Sequence, residues 1–424
     1  GLIRKLLPPI VSRKIETAYR WSRGLFWQAL YGFPARGISV IAVTGTNGKS
    51  TTCVFINSIL KSAGYKTAML TTPLIEIAGK QTSRTTTRTL EKQSEVQAFF
   101  SKAKRSGADW VILEVPSHAL DQNRIMGVRI KTAVVTNLTP EHLDYHKTME
   151  NYARAKSLLT TDYGASAVVL NRDDKWFDYF SKRARGKLVS VGKDKSGDIM
   201  ISDIKLSANK SSAVLSGRDV RFKITTDLLG EFNIYNASQA AATGLALNLA
   251  PDEITAGIRN VQAVPGRMEP LMYGQKFAVL VDYAITPDAI EKALKTLRRI
   301  TKGKVRIVFG ATGNRDRQKR PLMGQAAGKY ADVIYLTDDE TYDEKSEDII
   351  AAVYAGIKKA KATGKTKLFA GNRREAIRQA LVDAKPNDAV YITGLGHEKV
   401  RNMGGKFVPW SDQQVTAEIL RGKG

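Results

Sequence analysis

The chain has 424 residues, with 66 Lys or Arg against 41 Asp or Glu, a formal net charge of +25. That balance suits anionic partners (nucleotides, nucleic acid or an anionic membrane surface) without choosing among them. The single cysteine, Cys53, excludes an intrachain disulfide and a cysteine-rich zinc site, and no apolar run reaches membrane-spanning length.

A hydrophobic share of 43% supports globular domains, about two or three at this length. The lack of cysteine pairs suits a reducing compartment, so a cytoplasmic location is expected. No zinc finger and no aromatic-basic interleaving of the single-strand readers occurs, so nucleic acid is not an expected partner.

Residues 1–36 stand apart. Arg4, Lys5, Arg13, Lys14, Arg20, Arg23 and Arg36 face one acid, Glu16, and Trp21, Leu25, Phe26, Trp27 and Leu30 lie among them. Pro8-Pro9 breaks the first stretch and Pro34 ends the second. Two readings stay open: an amphipathic segment peripheral to an anionic membrane, or a helix docked on the body or on a sister subunit.

Residues 37–264 predict an α/β domain, with candidate strands at 38–43, 67–70, 110–115 and 131–136. Thr44 to Thr52 reads TGTNGKSTT between an apolar β-branched run and an apolar-periodic helix. This is a phosphate loop, shorter than the common GxxxxGKS/T form. Gly45 and Gly48 allow the tight turn, and the N–H groups of Thr46, Asn47 and Thr51 can face an anion. Lys49 can reach the outer phosphates and the Ser50 hydroxyl can hold Mg²⁺. The helix start adds roughly half a positive charge.

The strand at 110–115 carries Glu114 at its exit, placed to hold Mg²⁺ or to orient water beside the loop. Three of the four histidines, His118, His142 and His146, follow in the same half, and His142 is the better ligand candidate. Thr148 is a possible N-cap for a helix carrying Lys156 among Tyr152, Ala153, Ala155 and Leu159. A desolvated lysine can react with CO₂ to give a carbamate able to bind Mg²⁺; the alternative is a snorkelling lysine. Residues 185–228 resemble a peripheral sheet. Asn236 can read an adenine edge or cap its helix.

A boundary is expected near Pro265-Gly266, and residues 265–424 repeat the strand–helix alternation as a second α/β domain. Asp282 ends a strand there. Arg315, Arg317, Lys319 and Arg320 predict an anion site in the loop 311–321.

At this point the motifs resemble a known family. TGTNGKSTT at 44–52, EVPSHALDQNR at 114–124, TNLTPEHLDYHKTMENYARAK at 136–156, GEFNIYNASQAAA at 230–242, VPGRMEPL at 264–271, VDYAITPDAIEKAL at 281–294, NRDRQKRPLMG at 314–324 and TGLGHEKV at 393–400 are similar to the Mur ligases, nearest the MurE type. The resemblance implies a central P-loop ATPase domain with a mostly parallel sheet, followed by a Rossmann-like domain. It implies ATP-dependent amide formation through an acyl phosphate, adding a diamino acid to a muramoyl-dipeptide carboxylate for peptidoglycan. It implies two Mg²⁺ ions on Ser50, Glu114, His142 and a carbamate of Lys156, with Lys49 stabilising the transferring phosphoryl group. Asn236, Arg267 and Asp282 match nucleotide contacts. Thr85, Thr86, Ser117, Gln122 and Arg124 match positions that hold the muramoyl peptide, and Gly394 and Glu398 match those that meet the far end of the incoming amino acid.

The departures shape the expectation. The family's N-terminal uridine-nucleotide domain does not precede the loop in this sequence, so a UDP-linked and a lipid-linked acceptor are both open. The signature arginine for diaminopimelate is replaced within Asp338-Asp-Glu-Thr-Tyr-Asp-Glu-Lys345, leaving Lys345 as a point charge. Ile285 stands for a histidine, Pro116 for a serine, and Thr87 for a proline. The alternatives to a cell-wall ligase are a ligase of another acidic polymer, such as polyglutamate or a cyanophycin-like peptide, or a nonenzymatic nucleotide-dependent membrane scaffold.

Overall fold

A computed structural model describes residues 9–84 and 89–422. The first sheet contains β1 (Ser39–Thr44), β2 (Thr67–Leu70), β3 (Leu74–Ile77), β4 (Lys80–Ser83), β5 (Trp110–Glu114), β6 (Thr132–Val135), β7 (Ala167–Asn171), β8 (Lys187–Gly192), β9 (Ile199–Leu206), β10 (Ser211–Ser216) and β11 (Arg221–Thr226). Among the described residues their order is β11-β10-β9-β8-β7-β6-β1-β5-β2-β3-β4. Neighbours from β9 to β2 run parallel. Antiparallel hairpins finish both edges. The stretch 185–228 is therefore no separate peripheral sheet; β8 to β11 extend the main one.

Val40, Ile41, Ala42 and Val43 are all fully buried, as a parallel strand covered on both faces requires. Their side chains alternate. Ile41 and Val43 join the core under the helices Lys49–Ser62, Glu231–Ala246 and Pro251–Arg259, whereas Val40 and Ala42 join the opposite core under Gln93–Arg105 and Met149–Thr161. The chain leaves β1 towards β2 on one side and later reaches β6 on the other, so the strand order reverses at β1. That reversal opens a crevice at the strand ends, the usual ligand position of an open α/β sheet.

A second sheet contains β12 (Glu269–Pro270), β13 (Ala278–Asp282), β14 (Val305–Phe309), β15 (Val333–Leu336), β16 (Thr366–Leu368) and β17 (Ala389–Thr393) in the order β12-β13-β17-β14-β15-β16. All pairs but β12–β13 are parallel. A hairpin of β18 (Val400–Met403) and β19 (Lys406–Pro409) follows. The architecture is the expected one: α/β, with a mostly parallel central sheet and a separate α/β unit after it.

The first helix, Pro9–Leu30, lies on the body. Gly24 meets Met126 and Gln93, and a side chain there would collide with both. Gln93 Nε2 donates to the Arg20 carbonyl at 3.0 Å, Arg23 Nε donates to Gln93 Oε1 at 3.3 Å, and Arg20 Nη1 donates to the Asp121 carbonyl at 3.4 Å. Docking thus accounts for one face. Among the described residues no helix is long and apolar enough to cross a membrane.

The helix that starts at Lys49 is wedged by its neighbours. A Cβ on Gly257 would strike the Ile59 backbone, and one on Gly244 would press on Ile254 and Ile59. Because backbone cannot swing aside, Gly257→Ala should lower stability by about 1–3 kcal/mol. An unchanged denaturation midpoint would show that these helices have slack.

Candidate active site

The loop after β1 is shaped by its two glycines. Gly45 and Gly48 take φ of +143° and +83°, backbone that favours glycine. A Cβ would run into the Thr136 hydroxyl at the first and the Asn236 carboxamide at the second. The exit of β6 staples the loop from outside: Thr46 N donates to the Asn137 carbonyl at 2.9 Å, Asn47 N to Asn137 Oδ1 at 3.0 Å, and Thr136 Oγ1 to the Asn47 carbonyl at 2.6 Å. Lys49 Nζ folds back on the Thr46 carbonyl at 2.7 Å. Burial lowers its ammonium from the ordinary lysine value, and Glu114 opposes that shift.

Glu114 is buried at the end of β5. Ser50 Oγ donates to its Oε2 at 2.6 Å; Thr72 donates through N at 2.9 Å and through Oγ1 to Oε1 at 2.8 Å. Thr72 and Thr89 also share a short hydroxyl contact. Burial alone would raise the Glu114 carboxyl. Lys49, the Ser50 hydroxyl, Arg267 and the Thr72 N–H outweigh it and leave the group below its ordinary value. Sequence reasoning missed Thr72, whose signal was its place at the exit of β2, the strand beside β5.

Lys156 sits on the helix Met149–Thr161, capped by Thr148 as expected: Asn151 N donates to the Thr148 hydroxyl at 3.2 Å. It is only 1% exposed. Its Nζ donates to the Gly45 carbonyl at 2.6 Å and lies 4.7 Å from the Tyr152 ring centroid. Burial, and then the nearby Lys49, push its pKa well below the lysine value. It does not snorkel to solvent.

The three histidines cluster. His118 lies 4.8 Å from His142 and 5.4 Å from His146, ring to ring. His146 Nε2 is 2.9 Å from Ser117 Oγ. Burial pushes His118 and His146 down to about 4. It also lowers His142 well below its usual value, helped by His118 and Lys319. All three are therefore neutral near pH 7, the form that can ligate a metal.

The second α/β unit closes this site. Arg267 Nη2 donates to Ser50 Oγ at 3.3 Å, and its guanidinium lies 4.8 Å from the Tyr283 ring centroid. Asn47 Nδ2 donates to Asp288 Oδ2 at 3.0 Å, and Lys319 Nζ to Glu141 Oε1 at 3.0 Å in a pair 6% and 8% exposed. Asp282 accepts from the Tyr391 hydroxyl at 2.6 Å and the Tyr283 N–H at 2.8 Å. Burial nonetheless raises its carboxyl.

The two units enclose a cavity of about 860 Å³. Thr46 to Thr51, Glu114, Gln122, Arg124, His142, Asn236, Arg267 and Asp282 line it. Gly45, Ser117 and Lys156 stand behind that wall. Thr85 and Thr86 lie outside the described residues. Asn236 is inside its helix, whose N-cap is Gly230, so the capping alternative fails.

The far end departs from expectation. Lys345 is exposed at the start of the helix Ser346–Lys359 and does not line the cavity, so it supplies no charge there. Arg315 and Glu340 do line it. The other cations of the expected anion loop are engaged: Arg317 and Arg320 with Glu344 at 3.1 and 2.8 Å, and Lys319 with Glu141. Glu398 is buried, and burial followed by Glu340 raises its carboxyl well above the usual range. Gly394 is pressed against the Asp339 carboxylate, whose partner is the fully buried Arg373 at 2.7 Å.

Among the described residues, no three His, Cys, Asp or Glu side chains converge as a metal set. The donors present are of other kinds. Ser50 Oγ and the Glu114 carboxylate give adjacent hard oxygens suited to Mg²⁺, and neutral His142 can add nitrogen.

A strand-end phosphate loop under a second α/β unit, with a lysine, a serine hydroxyl and a buried carboxylate together, is the apparatus of an ATP-using enzyme that moves a phosphoryl group. Residues 43–244 match the Mur ligase middle domain, and residues 266–396 the glutamate ligase domain of Mur ligases. The chain is 40% identical over 396 residues to the UDP-N-acetylmuramoyl-L-alanyl-D-glutamate–2,6-diaminopimelate ligase of Aquifex aeolicus, covering 93% of this chain and 80% of that one. It is 37% identical over 421 residues to the same ligase of Bacillus velezensis, covering 98% and 84%. A solved structure of such a ligase superposes with a TM-score of 0.63 at 31% identity, covering 91% of this chain and 79% of that one. A folylpolyglutamate synthase of Mycobacterium tuberculosis shares the fold, with a TM-score of 0.73 at 19% identity over 88% of this chain and 92% of that one. The chain belongs to the Mur ligase family.

The depressed Lys156 gives a stability prediction. Between its folded value and the ordinary 10.5, the unfolded chain carries a proton that the folded chain lacks. Stability therefore rises with pH across that window, by about 1.4 kcal/mol per pH unit for one proton at most. In CO₂-free buffer, Lys156→Met should remove this slope and gain on the parent as pH falls. A difference between the two that is constant with pH would contradict the depressed amine.

Proposed function

We propose that the chain is an ATP-dependent ligase that joins an amino acid to the carboxylate of a UDP-N-acetylmuramoyl dipeptide. The observation carrying this reading is the cluster of Lys49, Ser50 and Glu114, with the buried Lys156 amine behind it, in a chain so similar to ligases of that reaction. The loop N–H groups and Lys49 grip the triphosphate. Asn236 meets the adenine, and Arg267 and Asp282 hold the nucleotide from the second unit. Ser50, Glu114, His142 and Lys156 would hold Mg²⁺, which supplies charge neutralisation between phosphate and carboxylate when bound. The Lys156 nitrogen attacks CO₂, a C–N bond forms, and the proton leaves to solvent. The resulting carbamate is anionic, which suits a site where Lys49 is close.

The substrate carboxylate attacks the γ-phosphorus, and ADP leaves from the resulting acyl phosphate. Lys49 offsets the charge that builds on the moving group. Gln122 and Arg124, with Ser117 behind them and Thr85 and Thr86 preceding, orient the peptide. The second unit keeps water from the acyl phosphate. The amine then attacks the acyl carbon, phosphate departs, and the ammonium proton is lost to solvent.

The acceptor end favours a second ammonium. Glu340 lines the cavity, and Glu398 and the Asp339–Gly394 contact lie behind it. Arg315 is there for one carboxylate. A basic amino acid such as lysine or ornithine fits this charge pattern, as does diaminopimelate if its second carboxylate finds a donor.

Phosphate release should be measured with ATP, Mg²⁺, the UDP-linked dipeptide and a panel of lysine, ornithine, meso-diaminopimelate and alanine. Release above the no-acceptor control is expected with a basic member and not with alanine; no release with any basic member would sink the reading. Lys49→Ala should lose about a hundredfold or more in kcat. Lys156→Ala should lose most activity and regain part of it with formate, which fills the carbamate's place. Full activity without formate would remove Lys156 from the mechanism.

A further inference from the structure

The first helix has a second face that the body does not use. Its docked side carries Gly24, Gln28 and Arg20. On the other side Tyr19, Trp21, Leu25, Phe26 and Leu30 are 54–62% exposed, and Ile15 42%. At 3.6 residues per turn these positions, with Ala18, Ser22 and Ala29, fill about half the circumference; from Ile15 to Leu30, Ser22 is the arc's one small polar residue, and Lys14 shares its register at the N-terminal end. Such a continuous apolar arc is uncommon on a protein surface without a partner.

We propose that this arc docks on an anionic lipid surface, the helix lying in the interfacial plane. Three observations favour lipid over a protein partner. Large aromatic and aliphatic side chains stand together on a convex helix, which a fluid surface can accommodate without a shaped groove. Besides Arg20, which is bonded to the body and to Glu16, the helix carries Arg13, Lys14 and Arg23 in sequence, within a chain of net charge +25, which complements acidic headgroups. Arg23 and Arg36 are exposed at its flank and end.

The attachment also has a position. The helix rests on the loop that leads to Gln122 and Arg124: Arg20 bonds the Asp121 carbonyl, and Gln93 Nε2 bonds the carbonyls of both Arg20 and Asn123. Arg124 in turn lines the cavity. A helix lying on a membrane would therefore be tied, through that loop, to one wall of the cavity. This inference stands apart from the ligase reading, because none of the outward side chains lines the cavity.

The full chain should be centrifuged with vesicles of phosphatidylcholine alone and of phosphatidylcholine mixed with phosphatidylglycerol. Binding to the mixed vesicles, weakened by added salt, is expected. Trp21→Ser with Phe26→Ser should bind about tenfold more weakly or worse, while its thermal midpoint and phosphate release stay those of the parent. The proposal falls if the chain ignores both vesicles, if neutral vesicles bind it equally well, or if the double variant binds like the parent. It also falls if the arc instead holds a dimer, seen as a parent that sediments as two chains without binding vesicles and a variant that sediments as one.

Discussion

Two amines, Lys49 and Lys156, lie near the Glu114 carboxylate beside the cavity. Burial lowers both below the ordinary lysine value, Lys49 lowers Lys156 further, and Glu114 and Glu141 oppose the shift at each. Arg267 adds a further cation through Ser50. A buried surplus of positive charge is costly unless it is paired or discharged. Burial and the nearby Lys49 weaken the hold of Lys156 on its proton, and its Nζ rests on the Gly45 carbonyl. What remains is a site whose cations are gathered where a polyanion would bind, with Lys49 held on the Thr46 carbonyl and Ser50 on Glu114 until one arrives.

The same economy explains the contacts between the two units. Ser50 is bonded at once to Glu114 within its own unit and to Arg267 from the other. Asn47 reaches Asp288 from the middle of the phosphate loop. Lys319 and Glu141 are nearly solvent-free beside His142. A pair of this kind adds little net stability, because desolvation offsets attraction. Its use is register: Glu141 would be left as a buried lone charge in any closed arrangement that misplaced Lys319. The relation of the second sheet to the phosphate loop is thus fixed by these polar contacts together with Leu229 and Phe232, which pack on the second unit's core.

Local chemistry made much of this legible beforehand. The glycine spacing and Lys-Ser of the loop, Glu114 at a strand exit, and Lys156 among apolar neighbours are all read along the chain, and the structure brings their side chains to one place. Three things were not legible. Thr72 matters only because β2 is the spatial neighbour of β5, a fact of sheet order. The membership of β9 to β11 in the main sheet depends on a short parallel pairing, Val191 with Ile199 and Gly192 with Met200, which turn-rich sequence does not announce. The fate of the cations at 315–320 depended on acids from elsewhere, Glu141 and Glu344, so an expected anion loop became mostly a set of ion pairs.

Lys345 shows the same limit at the acceptor end. Sequence placed it one step from the motif where an arginine was missing, and proximity in sequence suggested a substitute. The helix Ser346–Lys359 starts immediately after it, and its side chain falls on the outside. Inside, the run Asp338-Asp339-Glu340 is turned inward and nearly solvent-free, tied by Arg373 to Asp412 as well as to Asp339. Burial and neighbouring acids raise Asp339 to about 7, despite Arg373, and raise Glu398 well above the usual carboxylate range. An ammonium arriving beside Glu340 would relieve that repulsion, whereas a second carboxylate would add to it. On the reading proposed above, the incoming amino acid is then recognised at this end by the charge it neutralises.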